Sequence, residues 1–263
     1  MSRKFGRRGK KLLTHRNLRS LSVIRLIPNV ATIFALCIGI SSIRFSLMGN
    51  YEIAVIAILV AGLLDALDGS LARLLGVDSD FGAELDSLSD FVSFGVAPSM
   101  VIYIVSLEQW GGIGWAFSLM FCICMALRLA RFNIQSKLDK NENDILLFSG
   151  YFVGVPAPAA ACLGCFPLIL EFALQLNYTL PTLIYSMFII FSAILMVSNI
   201  PTFSLKYVKI PRNRVGFVLL LSGLLITVLI NALWETVAVL GVVYLITIPI
   251  SFWFYKRSYG SFN

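Results

Sequence analysis

Seven of the 14 acidic residues crowd into positions 65–90: Asp65, Asp68, Asp78, Asp80, Glu84, Asp86 and Asp90. Asp65 and Asp68 are spaced i,i+3, and Asp86 and Asp90 are spaced i,i+4, so each pair shares one face of a helix. Both pairs border apolar runs, where an ionisable side chain is costly and marks a functional site. Four carboxylates brought together repel one another unless cations lie among them. All-oxygen ligation suits hard ions such as Mg²⁺ or Mn²⁺, and four acids suit a pair of them. A proton or ion pathway, or a charge network between helices, is the competing reading of the same residues.

The elements that hold these groups must be two consecutive antiparallel helices joined by a turn near Gly76-Val77-Asp78. In such a hairpin, equal separation from the turn means equal depth. Asp68 and Asp86 are matched in this way, and so are Asp65 and Asp90. With about 1.5 Å of rise per residue, the outer pair lies roughly 18–20 Å along the helices from the turn. Ala66, Gly69, Ala72, Gly82, Ala83 and Ser87 lie on the same stretch and permit close backbone approach by a helix or a ligand. Asp78 and Asp80 belong to the turn and are expected to face solvent, and Glu84 is either a neighbour just outside the ligand set or an interfacial residue.

The rest of the chain reads as an all-α integral membrane protein. Of its 263 residues 58% are hydrophobic and 13% are charged, too little polar surface for a soluble domain of this length. Apolar runs of about 20 residues recur, and they predict eight transmembrane helices at about 27–48, 51–73, 81–107, 113–133, 151–172, 181–200, 215–231 and 236–255. Nine of the 21 Lys and Arg residues precede the first run, between Arg3 and Arg25. Of the other twelve, eleven fall on the same side as that arm and only Arg44 lies towards the opposite face. This asymmetry places both termini in the cytoplasm. The chain divides into a basic cytoplasmic arm (1–26), a membrane domain (27–255) and a short cytoplasmic tail (256–263). The arm is read as resting on anionic membrane lipids and not on nucleic acid. Cys37, Cys122, Cys124, Cys162 and Cys165 all sit in apolar runs and are read as packing residues. His15, the only histidine, stands in the arm, which argues against His-based catalysis.

At the aspartates the chain resembles the CDP-alcohol phosphatidyltransferase family, whose motif is D-x2-D-G-x2-A-R-x8-G-x3-D-x3-D. Here it reads Asp65-Ala-Leu-Asp68-Gly69-Ser-Leu-Ala72-Arg73, then eight residues, then Gly82-Ala-Glu-Leu-Asp86-Ser-Leu-Ser-Asp90, with every fixed position matched. The resemblance implies transfer of a phosphatidyl group from a CDP-linked lipid to an alcohol, with release of CMP. It implies that Asp65, Asp68 and Asp86 ligate divalent metal, and that Asp90 completes the metal site and takes the proton of the acceptor hydroxyl. Gly69, Ala72 and Gly82 would line the nucleotide pocket, Arg73 would face phosphate, and the assembly would be a homodimer.

Several further segments resemble the bacterial, serine-using phosphatidylserine synthase branch of that family. They are Phe81 to Gly95 with Ala97-Pro98, Arg128-Leu-Ala-Arg131-Phe-Asn133, Gly154-Val-Pro156-Ala-Pro158, and Met196 to Ile200 with Ser204 and Lys206. Glycerophosphate-using relatives place Pro after the third aspartate and Lys after the fourth, where Ser87 and Phe91 stand here. Inositol-using relatives place Arg after the fourth. The expected partners are therefore CDP-diacylglycerol and L-serine, at a multi-pass inner-membrane site facing the cytoplasm. Arg131, and after it Arg128, are candidates for the serine carboxylate because a guanidinium fork suits that group. Interfacial anchoring is their other reading. Glycerol 3-phosphate, inositol or choline as acceptor, and a multi-span cation transporter, are the alternatives.

Overall fold

A computed structural model describes residues 27–76, 79–139, 151–198, 201–203 and 215–259. The basic arm, most of the polar 134–149 connection and the last four residues lie outside them. The architecture is helical. Helices α1 (Ile27–Leu47) and α2 (Tyr51–Leu75) form a long hairpin, and α3 (Asp80–Asp90) returns beside them. A π-helical turn, Phe91–Val96, then leads into α4 (Ala97–Val105), and a short 3-10 turn leads into α5 (Gly112–Asp139). The second half contains α6 (Ala157–Gly164), α7 (Phe166–Ala173), α8 (Thr182–Val197), α9 (Val215–Asn231) and α10 (Leu233–Tyr259).

Five stretches among the described residues are long and apolar enough to cross a membrane: Ile27–Leu47, Tyr51–Leu71, Asp80–Val105, Gly112–Ile134 and Leu233–Ser251. Thr182–Val197 and Gly216–Asn231 are shorter apolar helices. Large apolar side chains stand exposed along these helices, among them Phe34, Leu63, Leu127, Leu220 and Ile246. Such a surface is at home in lipid, and the chain is a membrane-embedded protein.

The fifth expected span requires correction. Residues Tyr151–Val153 are not helical but form strand β1, paired antiparallel with β2 (Pro201–Phe203), with Phe152 opposite Thr202. The helix begins only at Ala157. Proline disfavours helical geometry in the residue before it, and Pro156 itself is extended (ψ 150°), so the pair Pro156 and Pro158 delays the start. The ribbon joins the polypeptide before α6 to that after α8. Gly154, next to it, has φ +78°, a conformation that favours glycine.

The core that carries the site is built from α1, α2, the π turn, α4, α5, α6 and α8, with Phe94, Phe121, Met125, Leu163 and Tyr185 fully buried. The π turn follows Asp90 directly. It closes with a hydrogen bond from the Ala97 N–H to the Val92 carbonyl, five residues back. One extra residue in a turn shifts the phase of everything beyond it. The aspartate face of α3 and the apolar face of α4 can therefore differ in direction along one continuous span. Pro98 stands just beyond, where a missing N–H would disturb a regular helix in any case.

Candidate active site

Local sequence sets the start of α3. Ser79 caps it in extended geometry, and its Oγ accepts the Gly82 N–H at 3.0 Å. From that start Gly82, Asp86 and Asp90 recur every four residues and form one stripe. A Cβ on Gly82 would come within 3.0 Å of both the Asn29 amide oxygen and Ser79 Oγ, so glycine lets α1 approach. Gly69, on α2, faces open space, with no atom within 4 Å of where a Cβ would be. The two glycines thus do different work: one admits a helix, and the other leaves room for a ligand. Ala72 and Arg73 continue α2, but their side chains lie outside the described residues.

The four aspartates meet. One carboxylate oxygen from each of Asp65, Asp68 and Asp86 lies within 4.8 Å of the others. The Asp65 carboxyl also contacts that of Asp90. Asp68 is buried, 4% exposed, and the Oδ1 of Asp90 is buried with no hydrogen-bond partner among the described residues. An oxygen cluster of this size fits a divalent cation: the acceptors are all hard, and their mutual repulsion is relieved by positive charge. Asp80 is exposed, as expected, Glu84 is exposed too, and Asp78 lies outside the described residues.

Helix α1 supplies groups that the spacing of the aspartates did not reveal. Thr32 Oγ1 lies 2.6 Å from Asp68 Oδ2 and 3.1 Å from the Pro28 carbonyl. One hydroxyl proton serves one acceptor at a time, and the shorter contact, to a carboxylate, is the stronger. The Thr32 carbonyl in turn accepts from Ser89 Oγ at 3.2 Å, and Ser93 Oγ reaches the Ala35 carbonyl at 3.5 Å. Helix α3 and the π turn are therefore latched onto α1 by two serines, each three residues after an aspartate of the cluster. A threonine one turn beyond Asn29, in an otherwise apolar helix, was the available signal.

Helix α5 closes the other flank. Ser87 Oγ and the Asn133 side-chain amide lie within 3.1 Å, tying α5 to α3 one residue beyond Asp86. Arg128 donates its Nε to the Val155 carbonyl at 2.6 Å and lies within charge–charge range of Asp90 and Asp65. Arg131 points elsewhere. Its terminal nitrogens donate to the carbonyls of Met196, Val197 and Ser198 at 3.2–3.4 Å, the C-terminal end of α8. A cation there satisfies carbonyls that no later turn of helix can reach. Gly154 packs under the same corner, where a Cβ would lie 3.1–3.3 Å from Met196 O, Ser198 O and an Arg131 nitrogen. The five cysteines are free thiols; Cys165 is buried, Cys122, Cys124 and Cys162 are half-buried, and Cys37 is exposed, so the packing reading does not extend to Cys37.

A sequence model of CDP-alcohol phosphatidyltransferases matches residues 25–176, a range that begins just before α1 and ends just after α7. The chain belongs to the CDP-alcohol phosphatidyltransferase family. Among its relatives is the CDP-diacylglycerol–serine O-phosphatidyltransferase of Mycobacterium bovis, 32% identical over 226 residues, which span 86% of this chain and 78% of that one. The protein of that name from Helicobacter pylori J99 is 36% identical over 72% of this chain and 76% of its own. That from Bacillus subtilis is 42% identical over 52% of this chain and 72% of its own. As a phosphatidyltransferase-family site, the cluster combines the motif's first three aspartates in one oxygen cage with the fourth against Asp65.

Proposed function

We propose that the protein transfers the phosphatidyl group of CDP-diacylglycerol to the hydroxyl of L-serine, giving phosphatidylserine and CMP. The convergence of Asp65, Asp68, Asp86 and Asp90 across the α2–α3 hairpin carries this reading. The serine-specific names of relatives that match most of the chain support the choice of acceptor. The family's divalent cations, Mg²⁺ or Mn²⁺ and two in number on this reading, supply charge neutralisation at the pyrophosphate when bound to Asp65, Asp68, Asp86 and Asp90.

The chain's own residues divide the remaining work. Asp90, whose Oδ1 has no hydrogen-bond partner among the described residues, takes the proton as serine Oγ attacks the phosphorus that bears the diacylglycerol. The bond from that phosphorus to the CMP oxygen breaks, and CMP departs. Gly69 leaves space for the nucleotide; by the family motif Gly82 and Ala72 would line the same pocket and Arg73 would pair with phosphate. Arg128 offers its fork to the serine carboxylate, since only its Nε is taken by Val155. Arg131 was the first choice for that role by sequence context; its three bonds to the end of α8 support the anchoring role instead. The same reading places eight spans in the membrane with both termini and the site on the cytoplasmic side, and expects a homodimer. A transporter would need charges spread over several spans, whereas here they concentrate in one hairpin.

The test incubates purified protein with CDP-diacylglycerol and Mn²⁺ or Mg²⁺, then compares serine with glycerol 3-phosphate, inositol and choline. Phosphatidylserine and CMP should form in equal amounts, and only with the metal present. CMP release that needs no serine and yields no phosphatidylserine would overturn the assignment.

A further inference from the structure

Tyr244, on α10, lies far from the aspartates in sequence, yet its hydroxyl is buried without a hydrogen-bond partner among the described residues. A buried phenol normally finds a partner, because leaving a polar group desolvated and unpaired destabilises the fold. The neighbourhood shows what kind of partner is missing. Tyr244 lies within electrostatic range of Arg128. The Arg128 Nε is fixed on the Val155 carbonyl, while no acceptor among the described residues takes its two terminal nitrogens. Arg128 also lies within electrostatic range of Asp90, whose Oδ1 is the second buried polar atom of this region with no hydrogen-bond partner among the described residues. Two such oxygens, one phenolic and one carboxylic, thus lie near one guanidinium whose terminal nitrogens have no acceptor among the described residues. Helix α10 packs against β2 and α7, so Tyr244 is held in place by the scaffold and not by a mobile loop.

We infer that Tyr244 is an acceptor-binding residue, whose hydroxyl donates a hydrogen bond to the carboxylate of the amino-acid acceptor held by Arg128. The inference rests on the reading of the site as a serine phosphatidyltransferase and adds a specificity element to it. A carboxylate-bearing acceptor satisfies the guanidinium fork and the phenol together, while its own hydroxyl points towards Asp90. An amino alcohol without a carboxylate leaves both donors unpaired, and that loss is the physical basis of discrimination.

The experiment uses the full-length protein in detergent or nanodiscs and compares wild type with Tyr244→Phe, which keeps the ring and removes only the hydroxyl. The KM for serine should rise about tenfold or more, as expected for losing a hydrogen bond to a charged group. The KM for CDP-diacylglycerol and the Mn²⁺ half-saturation should stay within twofold. The preference for serine over ethanolamine should shrink by a similar factor. The thermal midpoint should hold or rise, because an unpaired hydroxyl has been deleted. An unchanged serine KM overturns the inference, as does a lowered midpoint with all Michaelis constants rising together, which marks the hydroxyl as merely structural. A wild-type protein that makes no phosphatidylserine overturns the reading beneath it, and the inference with it.

Discussion

Replacing Thr32 by valine removes one proton donor from the site and almost no volume. The hydroxyl it deletes lies 2.6 Å from Asp68 Oδ2, a length typical of an O–H donor on a carboxylate. Such a bond is worth about 1.5–3 kcal/mol, and Asp68 is too buried, at 4% exposure, for water to replace the donor. With Oδ2 held by Thr32, the carboxylate presents its other oxygen to the cluster in a fixed direction. Without it, the group turns or takes up a proton, and its value as a ligand falls. Partners that orient a metal ligand typically contribute about 10–100-fold in metal affinity, or about 1.4–2.7 kcal/mol. Thr32→Val should therefore weaken Mn²⁺ binding by at least tenfold. Purified protein without substrates can be titrated with Mn²⁺ and the free ion read by paramagnetic resonance. Thr32→Ser keeps the hydroxyl and loses the methyl, so it should bind within threefold of wild type. Equal affinity in the valine variant, or a serine variant as weak as the valine one, would refute the argument. In the first case Thr32 would be satisfied by the Pro28 carbonyl alone. In the second the methyl packing, not the proton, would matter.

Three other outcomes follow from the same geometry. Asp90→Asn should retain CDP-diacylglycerol binding while turnover falls about 10²–10⁴-fold, the usual contribution of a general base, and near-normal turnover would remove Asp90 from that role. Gly154→Ala forces a side chain into φ +78° and against the carbonyls of Met196 and Ser198, so it should lower stability by about 1–3 kcal/mol, read by thermal unfolding; an unchanged midpoint would contradict the corner described here. Arg131→Ala withdraws three hydrogen bonds from the end of α8 and should lower the thermal midpoint with little change in serine KM. A raised KM at unchanged stability would return Arg131 to the acceptor.

The aspartate cluster was legible because its geometry is local. Spacings of three and four residues on two consecutive helices, with equal distances to one turn, fix both face and depth without any knowledge of tertiary packing. The hydrophobic runs were legible for the same reason, and each expected span contains a described helix, although only five reach full span length. What escaped was set by contacts between distant elements. Whether Thr32 faces Asp68 depends on the rotation of α1 about its axis, which an apolar helix with few polar residues does not announce. The π turn repeats every five residues for only six residues, too short for any periodicity to show. The β1–β2 ribbon is held by pairing across 50 residues, and only the prolines that precede α6 hinted at it. The type of Arg131 suits a carboxylate, and its bonds to the carbonyls at the end of α8, which use the same donors, depend on packing that its spacing does not reveal.

The site therefore has two halves with different origins in the chain. The metal and nucleotide half is built from residues 29–90, contiguous in sequence and inside the region that the family model matches. On the proposed function its metal ligands act on the pyrophosphate, which all CDP-lipid donors share, and Asp90 takes the proton of whichever hydroxyl attacks, so this half does not distinguish among acceptor alcohols. On the inference above, the acceptor half is assembled from Arg128 on α5, the Val155 carbonyl that fixes Arg128, and Tyr244 on α10, which lies beyond the matched region. Its members are joined only by folding, and each is held by a different element. An acceptor can thus be changed by altering the orientation of one arginine or the presence of one hydroxyl, with the aspartates untouched. If that division holds, substitutions at Tyr244 and Arg128 should alter which alcohol is used while metal affinity stays near wild type. Substitutions at Thr32 and the aspartates should impair every alcohol alike. A Tyr244 variant that lost Mn²⁺ affinity as steeply as Thr32→Val would show that the halves are one unit, and that the acceptor is chosen by the metal cluster itself.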